Sequence, residues 1–118
     1  MDPTRLYQSI GDPTRLRILS LLRAGPLCVC HFQSILRAPQ VKISKHLACL
    51  RQARLVHARR SGQWMIYRLA DPLPSLLAAN LQALHDLIDA GDLPVLKRDL
   101  AARARVLAAS KSPVEKCC

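Results

Sequence analysis

Apolar residues recur at intervals of three and four along most of the chain, which is the spacing of one face of an α-helix. The longest such stripe follows the Asp71-Pro72-Leu73-Pro74 segment, ends at Gly91, and consists of Leu77, Leu81, Leu84 and Ile88. A second stripe begins after Asp92 and Pro94 and consists of Leu96, Leu100, Ala104 and Leu107. Both stripes are wider than one small domain needs to cover. We therefore predict a homodimer formed through the N- and C-terminal helices.

The N-terminal region contains the pentapeptide Asp-Pro-Thr-Arg-Leu twice, at residues 2–6 and 12–16. Asp is a favoured N-cap residue and Pro is tolerated at the first helical position, so each copy predicts the start of a helix. The second helix is predicted to run to about Arg23, where Gly25-Pro26 ends it.

Residues 27–52 predict two helices joined by a tight turn. The first covers residues 27–36, and its inner face is formed by Phe32, Ile35 and Leu36. A break at Ala38-Pro39 separates it from a second helix, which begins near Gln40 and buries Ile43, Leu47 and Leu50. The opposite face of this second helix is free to meet a partner. The spacing is that of a helix-turn-helix unit.

Beyond this unit the apolar pattern changes from helical to extended. Leu55 and Val56, followed by residues 64–67, predict two short strands about a Ser61-Gly62 turn. The sequence thus predicts a fold that is mainly α with one β-hairpin, a winged helix-turn-helix. It forms a single domain over residues 1–109, followed by a loose tail over residues 110–118.

The chain is strongly basic, with a formal net charge of +10 and an isoelectric point near 10.2. No acidic residue occurs between residues 13 and 70, so the positive charge is concentrated and indicates a polyanionic partner. Residues 37–68 join the second helix of the helix-turn-helix to the hairpin, an arrangement suited to gripping double-stranded DNA. The few aromatic residues argue against a stacking platform for single strands.

We predict DNA contacts from both parts of this basic stretch. On the open face of the helix, base-edge contacts are assigned to Gln40, Ser44, Lys45 and Gln52. Gln can pair with adenine and Lys with guanine in the major groove. Lys42 and Arg51 are assigned to phosphates, and His46 is either a half-buried spacer or a phosphate contact.

The hairpin is predicted to reach the DNA backbone or minor groove through Arg59, Arg60 and Gln63. Trp64 is expected to pack the hairpin onto the core.

Five cysteines, an odd number, occur in a chain whose start has no apolar signal region. No apolar run approaches the roughly 18 residues that a membrane span requires. We predict a cytoplasmic protein without membrane contact, whose thiols are free or bind a metal rather than forming a disulfide framework. The sequence has no Gly-rich phosphate loop and no hydrolase or metalloprotease motif, so an enzyme is not expected.

Four separate segments resemble the ArsR/SmtB family of small winged-helix metal sensors. They are residues 11–19 (GDPTRLRIL), 27–30 (LCVC), 42–48 (KISKHLA) with 50–51 (LR), and 59–64 (RRSGQW) with 67–69 (YRL). The resemblance implies a dimeric repressor that releases operator DNA when a metal or metalloid binds. The Cys28-Val29-Cys30 form is similar to the arsenite and antimonite branch, so the implied inducer is As(III), Sb(III) or methylarsenite.

Two positions depart from the pattern of that branch. A third cysteine is common three residues after the second, where this chain has Gln33. The recognition helix usually has a Ser or Thr cap, and the substitution by Ala38-Pro39 should weaken its start by about 0.5 to 2 kcal/mol unless another group caps it. The family also has a metal site of Asp and His residues between the long helices. The candidates for it here, which we interpret as a solvated helix face, are His85, Asp86 and Asp89.

Cys28 and Cys30 lie at the first turn of a predicted helix, where unpaired backbone N–H groups favour the thiolate anion. Soft ions such as trivalent arsenic select thiolate over oxygen ligands. We therefore predict that both cysteines are ligands. The alternative interpretation is that they are small buried hydrophobic residues.

The third donor of such a site is left open by the sequence. Cys117 and Cys118 on the tail could reach the site in either subunit, or could be an exposed pair without a fixed role. His31 follows Cys30 directly, so its side chain is expected to point elsewhere. Cys49 lies between the two faces of its helix and is interpreted as a packing residue.

The predicted function is a metalloid-responsive repressor that is released from operator DNA when Cys28 and Cys30 bind As(III) or Sb(III). In the expected mechanism, ligation draws the two side chains together and distorts the first turn of a helix that packs against the DNA-reading helix. Two alternatives use the same DNA-binding fold. One is a sensor selective for organoarsenicals such as methylarsenite, which needs only two thiolate ligands, and the other is a thiol redox switch. Two further alternatives are a thiol-based enzyme and a DNA-packaging protein insensitive to sequence.

Overall fold

The computed structural model describes residues 2–110. Within them the elements follow the order α1 Pro3–Ile10, α2 Pro13–Arg23, β1 Leu27–Cys28, α3 Val29–Leu36, α4 Gln40–Gln52, β2 Val56–Ser61, β3 Trp64–Leu69, α5 Ser75–Asp89 and α6 Pro94–Ala109. The prediction of a mainly helical winged fold with a β-hairpin is confirmed. The predicted tail, apart from Ser110, lies outside the described residues.

Both repeated pentapeptides start helices, as predicted. The Asp2 carboxylate accepts the backbone N–H of Thr4 at 3.0 Å, and the Asp12 carboxylate accepts that of Arg15 at 3.0 Å. Each Pro follows its Asp at the first helical position, where its missing N–H leaves no hydrogen bond unmade. The second helix ends at Arg23, and Gly25 follows with φ of 144°, a conformation that L side chains rarely adopt.

The sheet contains one strand that the sequence did not predict. β1 pairs antiparallel with β3, through Leu27 with Tyr67 and Cys28 with Ile66, and so completes a three-stranded sheet of order β1-β3-β2. Placing residues 27 and 28 in a helix was therefore wrong. Two residues are too few to show a period, and the edge of β3 offers backbone groups that they can pair with.

The hairpin is longer than predicted. Its register runs from Val56 opposite Leu69 to Ser61 opposite Trp64, so Ser61 ends a strand rather than forming the turn. Gly62 lies in the turn with φ of 61°, which Gly adopts without strain. Arg59 and Arg60 thus lie on a paired strand and not in the turn.

The core lies between the helix-turn-helix and α2. Ile43, Leu47 and Leu50 of α4 are each 0% exposed, as their spacing predicted. They share one apolar cluster with the inner face of α3 and the buried centre of α2, whose members include Ile18, Leu19, Phe32 and Ile35. The two helices of the helix-turn-helix therefore pack against a common core.

Helix α6 is oriented differently from the prediction. Leu96 is buried and Leu100 and Leu107 are half-buried, but Ala104 is exposed. Positions four apart drift by about 40° around a helix, so a stripe written at that spacing turns away from the core. The inner face instead includes Asp99, which is 4% exposed. Its carboxylate accepts two hydrogen bonds from the Arg17 guanidinium of α2, both at 2.8 Å.

No helix among residues 2–110 combines the length and apolar character needed to cross a bilayer.

Candidate functional site

Cys28 belongs to two elements at once. It is the last residue of β1, paired with Ile66, and it is also the N-cap of α3. Cys30 is the second residue of α3, and its Sγ lies 2.7 Å from that of Cys28. Cys28 is 1% exposed and Cys30 is half-buried. The expectation that ligation must draw the two side chains together is therefore wrong, because the fold already holds their sulfurs against each other.

His31 points at the sulfurs, contrary to the prediction. Its Nδ1 accepts the backbone N–H of Cys28 at 3.2 Å and lies 3.4 Å from Cys28 Sγ. The reason is its position three residues after the N-cap, from which a side chain can turn back to the start of the helix. The Cys-x-x-His spacing, read as a variant of the Ser-x-x-Glu capping box, is the signal that could have identified it.

The ligand atoms of Cys28, Cys30 and His31 all lie within 4.8 Å of one another. Within residues 2–110, no other group of three or more Cys, His or acidic side chains is gathered closely enough to hold a metal ion. The donor set is two sulfurs and one imidazole nitrogen, which suits soft or borderline cations. The structure thus places at the start of α3 a compact cluster with the chemistry of a metal centre.

The imidazole in this cluster is neutral. Burial lowers the pKa of His31, and the positive charge of Arg103 on α6 lowers it further. Because Nδ1 accepts an N–H, the ring proton resides on Nε2, which is buried and without a hydrogen-bond partner among the described residues. The Nδ1 lone pair therefore faces the backbone N–H of Cys28, 3.4 Å from Cys28 Sγ.

The cluster is linked to both parts of the predicted DNA-binding surface, directly to the hairpin and through α3 to α4. Cys28 packs with Ile66 of β3, and Cys30 and Trp64 pack against this pair. Trp64 therefore joins the hairpin to the cysteine cluster, in line with its predicted packing role. On the other side, α3 packs along α4 through the shared core.

The outer face of α4 is exposed as its periodicity predicted. The side chains that it presents to solvent include Gln40, Lys42, Ser44, Lys45, Arg51 and Gln52. The N-cap residue Pro39 makes no side-chain hydrogen bond, in agreement with the expected lack of a Ser or Thr cap. Sequence reasoning passed over Val41, which is apolar yet 68% exposed on the same helix. An exposed apolar side chain there can contact the methyl group of thymine.

His46 lies at the edge of that face rather than on it. It is half-buried, and its Nδ1 is 3.7 Å from Asp12 Oδ2, at the start of α2. The backbone N–H of Arg15 holds the pKa of Asp12 below its usual value, and the nearby His46 contributes. This position favours the interpretation of His46 as a half-buried spacer that fixes α4 to α2.

The predicted hairpin contacts Arg59, Arg60 and Gln63 are all exposed. Arg60 donates a long hydrogen bond of 3.5 Å to the carbonyl of Gly62, which keeps its side chain near the turn. The structure therefore displays cationic groups on α4 and on the hairpin. The hairpin touches the cysteine cluster, and α4 packs against α3, the helix that carries it.

The remaining candidates lie elsewhere. Cys49 is half-buried on α4, consistent with packing. His85 Nε2 is 3.3 Å from Asp89 Oδ2 on a largely exposed face of α5, consistent with the predicted solvated face. Cys117 and Cys118 lie outside the described residues.

Comparison with known proteins places these features in a family. Residues 12–58 match the family model described as bacterial regulatory protein, arsR family. The chain is 40% identical over 87 residues to the arsenic resistance transcriptional regulator ArsR1 of Pseudomonas putida, covering 73% of this chain and 68% of that protein. It is 43% identical over 77 residues to the arsenical resistance operon repressor of Escherichia coli, covering 64% of this chain and 66% of that protein.

Solved structures agree with these relatives. HlyU from Vibrio cholerae superposes with a TM-score of 0.66 at 30% identity, covering 74% of this chain and 97% of that one. A homodimeric winged helix-turn-helix DNA-binding domain from Mycobacterium bovis superposes with a TM-score of 0.62 at 26% identity, covering 76% of this chain and 81% of that one.

Proposed function

Because the chain belongs to the ArsR family of bacterial regulatory proteins, we propose that it is a homodimeric repressor released from operator DNA when As(III) or Sb(III) binds Cys28 and Cys30. The observation that carries the proposal is the pair of facing sulfurs, 2.7 Å apart, at the start of the helix that packs against α4. Relatives named as arsenic resistance regulators, at 40% and 43% identity, support a metalloid as the inducer. These relatives are transcriptional regulators, so the protein is not an enzyme.

Binding to DNA is supported by charge and shape together. The exposed outer face of α4 carries Lys42, Lys45 and Arg51, and no acidic residue lies between residues 13 and 70 to oppose them. Phosphate contacts from Lys42 and Arg51 supply affinity, while base-edge contacts from Gln40, Ser44, Lys45 and Gln52 supply specificity. In this proposal α4 occupies the major groove and the hairpin holds the adjacent backbone through Arg59, Arg60 and Gln63.

Homodimerisation is supported by apolar side chains left on the surface of the terminal helices. Tyr7 of α1 is 48% exposed, Leu87 of α5 is 42% exposed and Val95 of α6 is 41% exposed. Pairing two copies through these helices would cover such side chains and present two copies of α4 to two half-sites.

Coupling between the two functions follows from the two roles of Cys28. A heavy atom held by Cys28 and Cys30 occupies the joint between β1 and α3. Any displacement of that joint acts on β3, through the pairing with Ile66, and on α4, through the core that it shares with α3. Both DNA-contacting elements therefore respond to one binding event.

Two variants of this function are favoured by specific features. Gln33 stands where a third thiolate would lie, and two thiolates saturate an arsenical with one organic substituent, so methylarsenite suits the pair well. Adjacent sulfurs also suit a redox switch, in which peroxide takes two electrons and two protons from the thiols to give a disulfide and water. A response to peroxide without metalloid would identify the redox variant.

Replacing either cysteine by serine should remove the response to metalloid. We expect the concentration of arsenite or methylarsenite that releases DNA to rise at least tenfold in Cys28→Ser and Cys30→Ser, because an alcohol is a poor ligand for a soft ion. The measurement is fluorescence anisotropy of labelled DNA from upstream of the chain's own gene, under reducing conditions.

The matched control is Cys49→Ser, which changes a cysteine on α4 without touching the cluster and should respond like the wild type. A chain ending at Lys116 tests whether Cys117 and Cys118 take part. Normal release from DNA in both serine variants would contradict the proposed site.

A further inference from the structure

We propose that His31 is a third donor of the centre for a thiophilic divalent cation, and that its ligation breaks the hydrogen bond that caps α3. The inference rests on the proposed function for the two cysteines and adds both a donor and a class of ligand. Its evidence is the set of contacts between His31 and Cys28.

The start of α3 is held by a reciprocal pair of hydrogen bonds. The Cys28 sulfur accepts the backbone N–H of His31, and His31 Nδ1 accepts the backbone N–H of Cys28 at 3.2 Å. This is a capping box in which Cys replaces Ser and His replaces Glu. The two side-chain atoms that form the box are also two of the three donor atoms of the cluster.

Capping and ligation through His31 exclude each other. A neutral imidazole has one acceptor nitrogen, which here is Nδ1, so that atom cannot accept an N–H and bind a cation at the same time. Ligation therefore breaks the hydrogen bond between the N–H of Cys28, a buried residue, and His31 Nδ1. A buried donor that loses its partner is unfavourable, so the first turn of α3 is expected to shift.

The donors fit a tetrahedral cation after a small movement. With metal–sulfur distances of about 2.3 Å and metal–nitrogen distances of about 2.0 Å, donors in a tetrahedral site lie about 3.6 Å apart. The three donor atoms now lie within 4.8 Å of one another. Shifts of about 1 Å bring them to that geometry and leave a fourth position for water or another donor. The movement falls on the same joint between β1 and α3.

The ligand class follows from the donor set. Two thiolates and one imidazole suit Zn²⁺ and softer divalent cations such as Cd²⁺. An arsenical with one organic substituent is saturated by two sulfurs and has no need of His31. The same site would thus bind two classes of inducer, and only the divalent cation would depend on the imidazole.

The variant His31→Gln separates the two roles of this residue. Gln at this position of a capping box can accept the N–H of Cys28 through its side-chain oxygen, so the cap is kept while the nitrogen donor is lost. We expect the affinity for Cd²⁺ to fall at least tenfold and the affinity for phenylarsine oxide to stay within twofold of the wild type.

Affinities are measured by chelator competition on the full chain carrying Cys117→Ser and Cys118→Ser, with sulfur-to-cadmium absorbance as the signal. In protein labelled with nitrogen isotope at histidine, NMR with a spin-active cadmium isotope should show coupling of the metal to His31 Nδ1.

An unchanged Cd²⁺ affinity in His31→Gln, or coupling to no histidine nitrogen, would overturn this inference. If phenylarsine oxide still requires both cysteines in that case, the proposed function stands alone. If Cys28→Ser and Cys30→Ser alter the binding of neither ligand, both proposals fail.

Discussion

Lys45→Ala should weaken binding to the operator by about 30-fold to 25,000-fold. Lys45 is exposed on the outer face of α4, opposite the buried Ile43, Leu47 and Leu50. One lost base contact costs about 1 to 3 kcal/mol, and a two-fold dimer loses it at both half-sites. The total of about 2 to 6 kcal/mol corresponds to that range of affinities. It is measured by fluorescence anisotropy at one fixed salt concentration, with operator and scrambled duplexes.

The comparison between the two duplexes shows which kind of contact Lys45 makes. If Lys45 reads a base, the operator loses far more affinity than the scrambled duplex; if it binds a phosphate, both lose affinity alike. Lys97→Ala removes an equal charge from an exposed position on α6 and serves as the control. Equal effects of the two substitutions would mean that only net charge matters and that α4 is not the reading helix.

Asp99→Ala should lower the free energy of unfolding by about 2 to 3 kcal/mol. Asp99 is 4% exposed and accepts two hydrogen bonds at 2.8 Å from Arg17. Its removal leaves the Arg17 guanidinium beside the core without its carboxylate partner. Breaking a fully buried pair costs about 3 to 5 kcal/mol. The Arg17 side chain is 30% exposed, and water screens part of the loss. The value is obtained from urea unfolding at a fixed protein concentration, because dimerisation contributes to stability.

The control for this prediction is Asp89→Ala, which removes a carboxylate paired with His85 on a largely exposed face of α5. Exposed pairs contribute little, so its unfolding midpoint should stay close to that of the wild type. A similarly small change for Asp99→Ala would mean that the contact between α2 and α6 does not hold α6 in place.

The parts of the fold that the sequence predicted are those governed by local chemistry. Asp2 and Asp12 cap helices because their carboxylates reach backbone N–H groups two or three residues away. The buried face of α4 follows from the period of Ile43, Leu47 and Leu50 alone. Such features need no knowledge of distant residues.

The parts that the sequence missed depend on distant partners or on a reciprocal contact. Strand β1 exists because β3, about 40 residues later, offers an unpaired edge, and nothing within Leu27 and Cys28 signals this. His31 was set aside because side chains of neighbouring residues diverge. However, a side chain at the third helical position can fold back towards the N-cap. His31 does so, and its Nδ1 accepts the backbone N–H of Cys28.

We expect DNA and a thiol-binding inducer to compete through the junction of β1 and α3 at Cys28, and a linkage measurement tests this competition most directly. The affinity for methylarsenite is measured on the free dimer and on the dimer saturated with operator DNA. A coupling of about 1 to 3 kcal/mol predicts that DNA weakens methylarsenite binding about 5-fold to 150-fold, and that methylarsenite weakens DNA binding by the same factor. Equal methylarsenite affinities with and without DNA would contradict the account.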